Sequence, residues 1–143
     1  MQVASILTVK GADVATITPE STIGDAVTAL HHHRIGALVV SPDGRRVVGI
    51  VSERDIVRRL ATDPDVMTVP VSHVMTANVH TCAPDDEVEQ LMVLMTGHRI
   101  RHVPVVVDGV LSGIVSIGDV VKHRVTQLVN ENQVLYEYMT GTR

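Results

Sequence analysis

Apolar residues fall at Ile23, Ala26, Val27 and Leu30, a spacing that lines up one side of a helix. The same stripe returns at Val88, Leu91, Met92 and Met95. Each helix is expected to open on a capping box, formed by Thr22 with Asp25 and by Asp86 with Glu89. A short apolar run follows each helix, Ala37–Val40 in one case and Val103–Val107 in the other, and reads as a buried strand. Turn signals come next, Pro42-Asp43-Gly44 and Asp108-Gly109, and then a second strand ending in Gly-Ile-Val-Ser. A second helix starts at once. With a β-prone lead segment running into Pro19 or Pro84, each unit reads β-α-β-β-α.

The two units are copies. Residues 13–41 lie over residues 78–106, matching Val14 with Val79, Thr16 with Thr81, Pro19 with Pro84 and His33-Arg34-Ile35 with His98-Arg99-Ile100. After a one-residue deletion in the hairpin, Gly49, Ile50, Val51, Ser52 and Asp55 fall on Gly113, Ile114, Val115, Ser116 and Asp119. The expected organisation is a first repeat with its lead-in over 1–62, a linker over 63–77, a second repeat over 78–125 and a helical extension over 126–143. Units of roughly 50 residues bury too little apolar surface to stand alone. They are expected to pack together about a pseudo-twofold axis, leaving two related clefts, in an α+β (α/β) fold. Along the extension, Val121, Val125, Leu128, Asn132, Leu135 and Met139 share one helical side. That side calls for cover, either from a partner subunit or from the N-terminal segment.

Composition narrows the chemistry. The 143 residues include no Trp, no Phe and two Tyr, so aliphatic side chains and Met must build the core. Few aromatics and a net charge of −4 disfavour nucleic acid as a partner. Cys82 is the single cysteine and falls on Ile17 in the repeat alignment, which makes it a strand residue rather than a nucleophile. One cysteine, no secretory pattern and no apolar run of membrane length together lead to the expectation of a cytoplasmic protein without a membrane partner. No nucleophile–base set, P-loop, dinucleotide fingerprint or His-Glu-x-x-His motif occurs, so no enzyme activity and no required cofactor are expected. His31-His32-His33 also makes a poor metal site, because adjacent helical residues point about 100° apart.

Two features carry candidate binding chemistry. Ser-x-x-Asp occurs twice at the junction of strand and helix, as Ser52–Asp55 and Ser116–Asp119. The pattern caps a helix, and a helix N-terminus also favours an anion. Arg101-His102 precedes a strand, where an Arg fork suits phosphate; the first repeat has Gly36-Ala37 there. The two clefts are therefore expected to differ.

The doubled unit with "IGALVV…VVGIVSERDIV" and "IRHVPVVVDGVLSGIVSIGDVV" resembles a pair of CBS domains, a Bateman module, over about residues 6–124. The resemblance implies a regulatory sensor of adenosine-containing ligands, namely AMP, ADP or ATP, with NAD(H) and S-adenosylmethionine as further members of that class. It implies a disc-like homodimer of two pairs and a separate effector protein. The implied binding residues are Thr16, Pro19, Gly36, Ala37, Ser52, Arg54 and Asp55 from the first repeat. Those from the second are Thr81, Pro84, Arg101, His102, Ser116, Gly118, Asp119 and Lys122. In that family the Asp grips the ribose hydroxyls. A rival expectation is a ligand-free dimerisation scaffold that acts through the C-terminal helix.

Overall fold

The computed structural model describes residues 1–141, so the last two positions of the expected extension lie outside the described residues. Strand β1 (Thr16–Ile17), helix α2 (Ile23–His33), strands β2 (Ala37–Val40) and β3 (Gly49–Ser52), and helix α3 (Glu53–Leu60) form the first repeat. Helix α4 (Val88–His98), strands β4 (His102–Val107) and β5 (Val110–Ser116), and helix α5 (Ile117–Thr140) form the second. Helix α1 (Val3–Lys10) precedes both, and two 3-10 turns, Val66–Thr68 and Val71–His73, lie between them. The architecture is the expected tandem of mixed helix–sheet repeats with a long C-terminal helix.

In the first repeat β1 runs parallel to β2, and β2 pairs antiparallel with β3. All four residues of β2 are buried, as a continuous apolar run requires. In the second repeat β4 and β5 pair antiparallel with a bulge between Val105 and Val106. There Cys82 makes one parallel bridge to Val105 where the first repeat has β1 beside β2. Cys82 is buried as its alignment with Ile17 implied.

Three of the helix starts carry the full capping box: Thr22 with Asp25, Ser52 with Asp55, and Ser116 with Asp119. The box expected from Asp86 and Glu89 does not form. Helix α4 begins after Glu87, and the Asp86 carboxylate turns back to accept the Ala83 backbone N–H at 2.8 Å. A turn closed by Asp86 around Pro84 and Asp85 therefore replaces the cap. Helices α2 and α4 each end on an arginine in the left-handed region, Arg34 at φ 56° and Arg99 at φ 55°. The three consecutive histidines form the exposed last turn of α2, and His32 and His33 stand edge to face.

The cores show an exchange. Val3 and Ile6 of α1 are buried with Cys82, Val88, Leu91, Met95, Val103, Val105, Val115 and Val120, all from the second repeat. Val66 and Val71 of the connecting segment are buried with Ile23, Ala26, Leu30, Leu38 and Val51 of the first. Backbone bonds fix both attachments. Val3 and Ala4 donate to Asp86 and Pro84, while Val71 and Ser72 donate to Ser21 and Pro19. Each repeat is thus completed by the segment that leads into the other.

Only Val120 of α5 is buried. Val121, Val125, Leu128, Leu135 and Met139, the expected apolar side, are all exposed, so α1 does not cover it. Among the described residues no helix is long and apolar enough to cross a membrane.

Two equivalent glycines test the attachments. A Cβ on Gly49 would lie 2.4 Å from Met75 Sδ and 3.2 Å from the Thr76 carbonyl oxygen. The nearest atoms to a Cβ on Gly113 would all belong to the Leu7 side chain, from 2.9 Å. Gly49→Ala is therefore expected to cost about 1–3 kcal/mol in urea unfolding, and Gly113→Ala less, because Leu7 can rotate where a backbone carbonyl cannot.

Candidate functional site: a cleft between the two repeats

The β2–β3 register pairs Ala37 with Ser52 at the end of the sheet, where β3 passes directly into α3. Ser52 Oγ accepts the Asp55 backbone N–H, and Asp55 Oδ2 accepts both the Ser52 N–H at 2.9 Å and its hydroxyl at 3.0 Å. The other oxygen, Oδ1, has one long contact, 3.5 Å from the Thr76 hydroxyl. The cap thus spends one carboxylate oxygen and leaves its twin facing a cleft of about 470 Å³.

Both repeats wall that cleft. The first supplies Gly36, Ile50, Ser52, Glu53, Arg54, Asp55 and Arg58. The segment entering the second repeat supplies Thr76, Asn78, Val79 and His80. The end of α4 and the start of β4 supply His98, Arg99, Ile100, Arg101 and His102. Four arginines face two carboxylates, which leaves the lining cationic. Arg54 bridges the repeats by donating to the Arg99 carbonyl oxygen at 3.2 Å. The rings of His80 and His98 lie 4.2 Å apart, tilted by 32°. Among the described residues no group of three or more His, Cys, Asp or Glu is placed to hold a metal ion.

The structure brings together Gly36, Ser52, Arg54, Asp55, Arg101 and His102 from the residues implied by sequence. Gly36 and His102 were expected to mark two different clefts, yet they face each other in one. A Cβ on Gly36 would lie 3.4 Å from the His102 ring, so glycine leaves the space that the imidazole approaches. Ala37 is buried in β2 between lining residues and does not itself line the cleft. Thr16 is exposed on β1, and the Pro19 carbonyl accepts from Ser72. Thr81 is exposed beside Cys82, and the Pro84 carbonyl accepts from Ala4 beneath α1.

Ser116, Gly118 and Asp119 form the matching junction at the start of α5, and Lys122 is exposed one turn further on. There Lys10 of α1 ion-pairs with Asp119 at 2.5 Å. Burial would raise the Asp119 carboxyl, but hydrogen bonds from Lys10 and Ser116 outweigh it and hold Asp119 below the usual carboxylate range. Sequence reasoning missed Lys10, Thr76, Asn78, His80 and Arg99. The first four ride on the exchanged lead-in segments, and Arg99 owes its direction to the left-handed turn at the end of α4.

His102 stands between the junctions. Burial lowers its pKa from the ordinary 6.5, and the Lys10 ammonium pushes the same way against Glu53 and Asp119. The folded protein therefore favours neutral His102. Its contribution to stability is complete above pH 6.5 and is lost as pH falls through the lower folded value. Stability measured by urea unfolding is expected to fall over that interval, and His102→Gln is expected to flatten the fall. Burial also lifts the Cys82 thiol to about 11. Cys82 in the native protein is accordingly expected to resist iodoacetamide at pH 8, with rapid alkylation once urea unfolds the chain.

A family model of the CBS domain matches residues 3–62 and 71–126. The CBS domain-containing protein CBSX3, mitochondrial, of Arabidopsis thaliana is 38% identical over 129 residues, which cover 87% of this chain and 63% of that protein. The CBS domain-containing protein YhcV of Bacillus subtilis is 34% identical, with coverage of 83% and 82%. The crystal structure of the CBS-domain containing protein ATU1752 from Agrobacterium tumefaciens superposes with a TM-score of 0.83 at 48% identity, covering 87% of this chain and 99% of that one.

Proposed function

This chain belongs to the CBS-domain family, and from that membership we propose that it is a sensor whose inter-repeat cleft binds an adenosine nucleotide and thereby modulates a separate partner. The observation that carries the reading is Asp55: a carboxylate held rigid by its cap, with one oxygen turned into a cationic cleft. A carboxylate oxygen there can accept from ribose hydroxyls, while Arg54, Arg58, Arg99 and Arg101 offer donors to phosphate. About 470 Å³ suits a small ligand. The cationic lining favours AMP, ADP, ATP or NAD(H) over S-adenosylmethionine, which brings its own positive charge. The ligand is regulatory, and no resident cofactor or catalytic step is proposed.

A second reading has its own support. The exposed apolar side of α5 suits self-association, so we also propose that the chain works as a homodimer, with α5 at the subunit contact. A ligand-free scaffold would keep that dimer and lose the nucleotide.

Thermal melting across AMP, ADP, ATP and NADH separates the readings. A nucleotide at about a hundred times its dissociation constant is expected to add roughly 2.7 kcal/mol, a melting shift of several degrees. Asp55→Ala is expected to weaken binding roughly tenfold to a hundredfold through loss of a charged acceptor. A flat melting temperature across all four ligands would leave the scaffold. If deletion of residues 126–143 leaves a particle of twice the shortened chain's mass in sedimentation equilibrium, α5 is removed from the dimer contact.

A further inference from the structure

The two Ser-x-x-Asp junctions are built alike and occupied differently. At the first, the Ile50 backbone pairs with Thr76, and Asp55 Oδ1 is left with one contact of 3.5 Å. At the second, the equivalent Ile114 carbonyl accepts the Lys10 ammonium at 2.9 Å, and Asp119 Oδ2 accepts the same ammonium at 2.5 Å. Asp119 Oδ2 also accepts the Ser116 backbone N–H at 2.8 Å, so the cap and the lysine share one oxygen. The pair is partly shielded, with side-chain exposures of 31% for Lys10 and 23% for Asp119. A charge-assisted bond in that setting is stronger than a solvated surface pair.

We propose that Lys10 is a built-in occupant of the second junction: its ammonium closes Asp119 to a ligand, so the chain takes one nucleotide, at Asp55, and a second only when the end of α1 lets go. The proposal rests on the nucleotide reading of the Asp55 cleft and adds the reason its pseudo-equivalent is shut. At Asp119 a ribose hydroxyl would meet a carboxylate already neutralised by an ammonium that also occupies the Ile114 carbonyl, whereas at Asp55 it meets a carboxylate with no cation on it and one long neutral contact at Oδ1. The construction of α1 lets the closure be local. Val3 and Ile6 anchor its first turns in the core, and the Val3 and Ala4 backbone bonds hold the same end. Its last turn carries the exposed Thr8 and Val9, with Lys10 as the tie at that end to β5 and α5. An eight-residue helix has little stability of its own, so its last turn can open while the first stays seated.

Isothermal titration of the full chain with AMP and with ATP reads the stoichiometry directly. Wild type is expected to bind one nucleotide per chain, lost in Asp55→Ala. Lys10→Met, which keeps the stem and removes the charge, is expected to bind two, the second lost again when Asp119→Asn is added. Lys10→Arg is expected to behave as wild type. One nucleotide per chain in both wild type and Lys10→Met overturns the closure and leaves the nucleotide reading standing, as do two per wild-type chain. If wild type binds neither ligand, the nucleotide reading fails, and the closure is judged on two further observations. Binding by Lys10→Met alone, or amide exchange at least tenfold faster over residues 7–10 in that variant, supports it. Absence of both overturns it.

Discussion

The structure depends on an exchange of lead-in segments between two units that are each too small to close a core. Val3 and Ile6 finish the second repeat, and Val66 and Val71 finish the first. Hydrophobic burial is the gain, and its geometry has a chemical consequence. A segment that must reach across the pair and then return to its own repeat passes the end of the other repeat's sheet, beside the strand–helix junction. The connector therefore leaves Thr76 against Asp55, and α1 leaves Lys10 against Asp119. Pseudo-symmetric cores deliver two non-equivalent side chains to two equivalent carboxylates. The difference between the junctions is a by-product of how the cores are sealed.

Much of this was legible in the chain because much of it is local. A helical stripe, a four-residue apolar run and a Ser-x-x-Asp box each declare themselves within one or two turns, and α2, β2, α3 and the start of α5 stand where those signals put them. The misses have physical causes. The Asp86 carboxylate is taken up by the Ala83 N–H of the preceding turn, and α4 starts one residue later, without a side-chain cap. Which core a lead-in joins is a long-range choice, and periodicity carries no information about it. Gly36 and His102 looked like marks of two clefts because alignment compares equivalent positions, whereas the fold sets non-equivalent ones face to face. The left-handed Arg34 and Arg99 had no signature, since glycine is the residue that announces that turn.

The cleft gains its character from a division of labour within one carboxylate. Asp55 caps α3 with Oδ2 and keeps Oδ1 for the cleft. The cap fixes the side chain rotamer, so the acceptor is in place before a ligand arrives and little entropy is lost in ordering it. The two oxygens have different neighbours, the cap for Oδ2 and the Thr76 hydroxyl for Oδ1. The arginines opposite come from both repeats, and Arg54 already touches the Arg99 carbonyl. An anion seated among them would be held by both repeats at once. The relative placement of the repeats and occupancy of the cleft are then coupled quantities, as linkage requires when a ligand favours one arrangement.

The second junction extends that coupling to the longest element. Asp119 is at once the cap of α5, the partner of Lys10 and a neighbour that acts on His102. His102 in turn faces Gly36 in the inter-repeat cleft, which Glu53 also lines. A charge placed near His102, or a release of Lys10, therefore acts on the N-terminal turn of a 24-residue helix whose apolar side is uncovered along most of its length. Such a helix has its hold on the body concentrated in its first turns, around Val120. Small changes in those turns are carried outward by its length. The first turn of the longest helix is thus clamped by Lys10 at the place where the second repeat and α1 meet.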